Sequence, residues 1–274
     1  MIRIMIIVSG LLAFNACTST SNNTKNSRQT ENNSNAVESN ENNKITSLTA
    51  DKIAEKTYHK YGAEKIKSND IYFSFRTYDY SFKHATNDLV RSRSFINDED
   101  QQVTDVWTGD TLIRKINGNA VELTDKKEKA YINSINSVFY FAFLPKAILD
   151  PAVYLKLLDN VDIKGQSYYK IQVTFDEEGG GEDHEDVFLY WINTQTFKMD
   201  YMAYRYYTEG GGFRFRAVNN SENVAGITFQ DYLNYGPKKG EKNIGEIFMN
   251  ADDAYANDEL RLVSEIKLEN IRVE

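Results

Sequence analysis

Tyr190-Trp191-Ile192-Asn193-Thr194-Gln195-Thr196-Phe197-Lys198-Met199-Asp200-Tyr201 sets bulky apolar and aromatic residues on either side of a polar turn, 193–196. Both arms continue with Tyr and Phe, which is the pattern of a well-packed hairpin. Worked outward, the same texture repeats as strands at 160–164, 167–176, 186–193, 197–208, 212–219 and 225–234, with a last one near 262–272. Lys164-Gly165 and Asn219-Asn220 take the turn positions. Short strands joined by tight turns make an antiparallel meander.

Upstream, Ile71, Phe73, Phe75 and Thr77 alternate with Tyr72, Ser74, Arg76 and Tyr78, a half-buried strand. Further strands follow around 89–96, 103–107, 112–116 and 120–123. Gly109-Asp110 and Asn117-Gly118 stand at turns, the second pair suiting a type I′ hairpin. Ile53, Thr57, Tyr58 and Tyr61 share one helical face, after Ser47 or Thr49 as N-cap and before Gly62 as C-terminal cap. Residues 124–143 also read as a helix, with Tyr131, Ile135, Val138, Phe139 and Ala142 at helical spacing. Its end, 138–144, is apolar all round before Pro145, so it is either buried or lines an apolar cavity. A second short helix is expected at 151–158. Together these elements predict an α+β, mainly β fold: a curled antiparallel sheet, a half-barrel of about ten strands, with a helical insertion covering one face. Three prolines and no long Gly/Ser linker after residue 46 predict one domain over 47–274.

The N-terminus reads as an export signal. Arg3 gives a basic start, 4–16 an apolar stretch too short to span a membrane, and Cys17 follows directly. Cys17 is the only cysteine, which excludes an internal disulfide and a thiolate zinc site. The expectation is a signal peptide at 1–16 and a lipidated Cys17. Phe14 and Asn15 depart from the Leu and small residue of the usual lipobox, while Ala16 fits. Residues 18–46, dominated by Asn, Ser and Thr, form a tether that reaches on the order of 30 Å as a flexible coil. Thr18 stands where an inner-membrane retention signal has Asp, and 18–21 carry no acidic residue. The expected location is therefore the cell envelope, anchored in the outer membrane and facing the periplasm. A net charge of −8 argues against a nucleic-acid partner.

Residues 176–186 gather seven carboxylates and His184 around Gly179, Gly180 and Gly181. Such an oxygen-rich loop suits Ca²⁺ through Asp176, Glu178, Glu182 and Asp183, although the spacing is not that of an EF-hand and the plain alternative is a solvated hairpin loop. No other cofactor is indicated. A second run, Gly210-Gly211-Gly212, joins the next strand pair. In a meander alternate turns share an end, so both glycine loops should frame one rim of the cavity, with Arg214 beside it. Arg205, Arg214 and Arg216 read either as a clamp on an anionic headgroup or as cross-strand ion pairs on a wet face. No Gly-x-Ser-x-Gly elbow is present and His59, His84 and His184 have no triad context, so no catalytic residue is assigned.

The run from Tyr168-Tyr169-Lys170-Ile171 through the first glycine loop, Tyr190-Trp191-Ile192, Met199-Asp200-Tyr201 and the second glycine run resembles an uncharacterised family of Bacteroidota lipoproteins, a domain of unknown function. Asn133-Ser134-Ile135-Asn136-Ser137-Val138 fits the same family. The resemblance covers roughly 48–274 and implies no activity or site residues. More distantly, a helix over a curled sheet with the Trp191-Ile192-Asn193 hairpin is similar to the LolA/LolB-type lipoprotein-carrier scaffold, whose members hold acyl chains in an apolar half-barrel. The leading functional expectation is a lipid-anchored envelope protein that binds an apolar or amphiphilic ligand without transforming it. A carboxylate-based, calcium-dependent hydrolase and a protein-binding module with a tyrosine-rich face are the alternatives.

Overall fold

The computed structural model describes residues 48–85, 88–109, 111–176, 185–207 and 211–274. Two helices lie early in the chain: α1 (Ala50–Lys60) and α2 (Asp125–Ala142). Between them run β1 (Ile71–Phe75), β2 (Tyr78–His84), β3 (Leu89–Ile96), β4 (Gln102–Thr108), β5 (Thr111–Ile116) and β6 (Asn119–Val121). After α2 come β7 (Val153–Leu157), β8 (Val161–Ile163), β9 (Gln166–Phe175), β10 (Val187–Asn193), β11 (Met199–Tyr206), β12 (Gly212–Val224) and β13 (Ile227–Gly236). The short helices α3 (Ile244–Met249) and α4 (Ala251–Ala256) precede β14 (Arg261–Ile266) and β15 (Glu269–Val273).

The class expected from the sequence stands: mainly β, antiparallel and open. The strands form two sheets, ordered β15-β1-β2-β3-β4-β5-β6 and β14-β13-β12-β11-β10-β9-β7, with β8 also on β9. Only Lys267 and Leu268 separate β14, at the edge of the second sheet, from β15, at the edge of the first. The Leu268 amide donates to the buried Asp231 carboxylate at 2.9 Å, which fixes that corner. The sheets thus follow one another around a curl, and α1 and α2 pack into its concave side with a shared core.

Several local expectations are corrected. Residues 71–78 are not one strand, because Arg76 takes a left-handed conformation (φ 58°) and turns the chain into β2. The helix expected at 151–158 is strand β7: Val153, Leu155 and Leu157 alternate with Tyr154 and Lys156 and pair with β9. Asn219-Asn220 is no turn but a bulge inside β12, and the turn is Ala225-Gly226, both at positive φ. Asn117 and Gly118 do form the expected left-handed turn pair. Thr49 is the N-cap of α1, accepting from the Lys52 amide at 3.3 Å. Gly62 (φ 62°) is irreplaceable on steric grounds, since a Cβ there would fall 1.9 Å from the Gly226 carbonyl oxygen.

The second sheet is covered on both faces. Phe188, Tyr190 and Ile192 of β10 face the concave core, while Leu189 and Trp191 face α3 and α4. Every residue of β10 after Val187 is therefore buried. The outer cover is fixed by a buried ion pair, Lys170 Nζ to Asp252 Oδ1 at 2.7 Å.

Candidate functional site

The concave interior is built by α2 lying across both sheets. Its N-terminal half is bound to the first sheet by polar contacts. Glu128 accepts from the Leu112 amide at 2.9 Å, Ser134 accepts from Arg93 at 3.0 Å, and the Tyr131 ring lies 3.7 Å beneath the Arg114 guanidinium. Arg93 and Arg114 both grip Asp105, at 2.8 and 2.7 Å, and Asp105 is wholly buried. The three charges sit opposite one another on adjacent strands, as Arg93–Asp105 and Asp105–Arg114 register pairs. Two guanidiniums forked on one carboxylate satisfy its oxygens, which a buried charge requires.

The C-terminal half of α2 is apolar. Phe139 packs on Phe73, Tyr80 and Phe82 of the first sheet with ring centroids 5.7–5.8 Å away. Tyr140 and Phe141 reach the second sheet, where Phe141 lies 5.1 Å from Tyr204 and 6.5 Å from Phe188. Among the described residues the polar link on that side is Tyr140 to Tyr190, hydroxyl to hydroxyl at 3.2 Å. Burial pushes both phenols well above the usual tyrosine range, so both stay neutral donors. The interior is thus packed by side chains of α2.

One row of residues crosses the inner face of the second sheet: Ile171, Tyr190, Met202, Arg216, Asn234 and Ser264 are successive register partners. Arg216 is 6% exposed, and its Nε and Nη1 have no hydrogen-bond acceptor. Its guanidinium stacks 3.9 Å from the Phe141 ring and lies 5.3 and 5.9 Å from Tyr204 and Tyr232. Beside it, Asn234 donates to Ser264 at 3.1 Å, but its Oδ1 is buried without a partner.

The arginines grouped by the sequence are divided by strand alternation. Arg205 is on the outer face near Gly245, whereas Arg214 and Arg216 point inward. None of the three is ion-paired with another described residue; Glu209 and residues 177–184, beside which the sequence places them, lie outside the described residues. Arg214 donates to the Phe213 carbonyl at 2.8 Å and lies over Tyr206. Gly211 and Gly212 stand at the β11–β12 turn: Gly211 has φ 73°, and a Cβ on Gly212 would meet the Tyr206 hydroxyl at 2.6 Å. Asp176 ends β9 and accepts from the Tyr154 hydroxyl at 2.9 Å. Val187–Arg205 and Tyr206–Gly212 pairing puts the stems of the two glycine loops at one end of the sheet, as expected. Cys17, Gly179, Gly180, Gly181, Gly210, Glu178, Glu182 and Asp183 lie outside the described residues. Among the described residues no group of three or more His, Cys, Asp or Glu side chains is placed to hold a metal. Two surface grooves, one of about 410 Å³ on the outer face of β1–β3 and one of about 760 Å³ between α1 and Phe197, are open; the first is mixed in polarity and the second presents more apolar than polar surface.

Sequence reasoning missed the Arg93–Asp105–Arg114 cluster and the isolation of Arg216. The first was readable: a tight turn after Thr108 sets Asp105 opposite Arg114. The second depends on Phe141 arriving from α2, which strand periodicity cannot show.

A family model matches residues 14–267, nearly the whole chain. The chain belongs to the family of unknown function DUF6503. Like the sequence resemblance, this DUF6503 membership carries no activity. No curated protein matches the chain. Among solved structures, this DUF6503 chain is similar to a LolA superfamily protein from Nitrosomonas europaea, at 13% identity and TM-score 0.44, over 83% of this chain and 94% of that one. It is also similar to a DUF1329 family protein from Desulfovibrio piger, at 9% identity and TM-score 0.39, over 81% and 93%. A third is the lipoprotein LppX of Mycobacterium tuberculosis, at 13% identity and TM-score 0.27, over 59% and 90%.

Proposed function

We propose that this DUF6503 protein binds one acyl-chain amphiphile between α2 and the inner face of the second sheet, without transforming it, while anchored to the envelope through Cys17. The observation that carries the reading is the asymmetry of α2. Its polar half is tied to the first sheet by hydrogen bonds and a cation–ring contact, and its aromatic half, seated on the first sheet by Phe139, reaches the second sheet only by ring contacts of Tyr140 and Phe141 and, among the described residues, one hydroxyl pair. Such a helix works as a flap hinged at its N-terminal half. Lifting it exposes Phe188, Tyr190, Met202 and Tyr204, an apolar floor suited to a hydrocarbon chain. The glycine-loop stems lie at one end of that floor and give it a mouth.

Magnitudes support a long-chain ligand. Exposing Phe139, Phe141 and Phe143 costs roughly 1.5–3 kcal/mol each. A twelve-carbon chain taking their place contributes about 0.8 kcal/mol per methylene, enough to offset three rings, whereas a chain of a few carbons is not. No helix among the described residues is long and apolar enough to cross a membrane.

Native mass spectrometry of the gently purified full chain, followed by solvent extraction, tests the proposal. The expected result is one bound amphiphile per chain, replaceable by laurate after extraction. An unliganded mass both before and after incubation with excess laurate overturns it.

A further inference from the structure

We infer that Arg216 is the anion-binding subsite of this interior, taking the carboxylate or phosphate headgroup of the amphiphile whose chain lies under α2. The inference rests on the binding reading above and adds the headgroup chemistry. The other buried cations among the described residues are matched: Arg93 holds Asp105, which Arg114 also grips, and Lys170 holds Asp252. Arg216 alone among these buried cations has no carboxylate, and its Nε and Nη1 meet no acceptor. A guanidinium offers a planar fork of N–H donors whose geometry fits two oxygens of a carboxylate or phosphate. Here two of those donors are buried and unused.

The surroundings fit an anion followed by a chain. Asn234, the register partner of Arg216, carries a second unsatisfied polar atom, and its amide turned over adds an N–H donor on the same side. Tyr204, Tyr232 and Phe141 wall the guanidinium with rings. In the closed form Phe141 covers the cation at 3.9 Å, so the motion that opens the chain site also uncovers the headgroup site. Arg216 lies four residues along β12 from Gly212, roughly 13 Å in from the mouth. A headgroup that reaches it is therefore out of bulk water, where a charge-assisted contact discriminates most.

The test compares laurate with methyl laurate, the same chain without the charge, by titration calorimetry at pH 8 on the full chain in an uncharged detergent. Wild type is expected to bind laurate at least about tenfold more tightly than the ester. R216Q is expected to narrow that preference to within about twofold, and R216K to retain most of it. Equal affinities in wild type, which need no variant to fold, overturn the inference, as does an R216Q protein that keeps the preference. In both cases ester binding shows that the interior site itself survives. Binding of neither ligand overturns the interior reading together with this subsite. Acetate or inorganic phosphate binding as tightly as laurate assigns Arg216 to a small soluble anion and overturns the amphiphile.

Discussion

Arg216 is a stability liability where it stands. A buried guanidinium with no carboxylate and two nitrogens lacking an acceptor sets ring contacts against its lost hydration. If it is kept for a ligand, Arg216→Met should make the ligand-free protein more stable, by about 1–3 kcal/mol in urea unfolding. A loss of stability of similar size would show that the cation supports the empty fold instead. Asp105 is the opposite case. Asp105→Asn leaves Arg93 and Arg114 facing each other without their shared anion, and about 3–5 kcal/mol should be lost in the same assay. At Gly62 the backbone decides: Gly62→Ala adds left-handed strain and a clash with the Gly226 carbonyl, and should cost at least about 2 kcal/mol. The φ of Gly62 was readable as a helix cap in the sequence, but the approach of Gly226 from β12–β13 was not, because 164 residues of chain separate the two.

α2 is the element on which the account turns. Phe139 seats it on the first sheet through three rings, and Phe139→Ala should cost about 3–5 kcal/mol. Binding should also depend on chain length, because the hydrocarbon must replace the aromatic end of α2. Affinity is expected to rise steadily from octanoate to palmitate, and hexanoate should not bind; flat affinity across that series in calorimetry would contradict a displaced flap. The helix itself was legible, bounds included, since Thr124 and Pro145 flank a run with clean helical spacing. β7 was misread because Pro151 and a short apolar run suit a helix start as well as a strand. Its pairing with β9 settles the matter, and pairing is not local information. α3 and α4 were not foreseen, each being six residues with too few turns to show a period.

At the scale of the molecule, the concave core is rich in buried phenols. Tyr61, Tyr140, Tyr190 and Tyr232 all have pKa values raised chiefly by burial, and Tyr80 is pushed up to about 12. A raised folded-state value means that the unfolded chain loses its phenolic protons first. Stability is therefore whole below pH 10 and falls as pH climbs from 10 through 12. Absorbance at 295 nm should show these tyrosines ionising together with loss of near-ultraviolet circular dichroism, rather than ahead of it. The antiparallel class and the shared end of the glycine loops were readable from alternation and turn residues. The division into two sheets was not: 262–272 reads as one strand, and the corner at Leu268 is set by Asp231 from β13. The central claim, that an acyl chain lies between α2 and the second sheet, is tested most directly by laurate carrying a photoreactive diazirine at its methyl end. After irradiation and peptide mapping, adducts should fall on 138–144 and on the inward residues of β10 and β11, such as Tyr190 and Met202. Adducts confined to the outer grooves, or none in the interior, would contradict it.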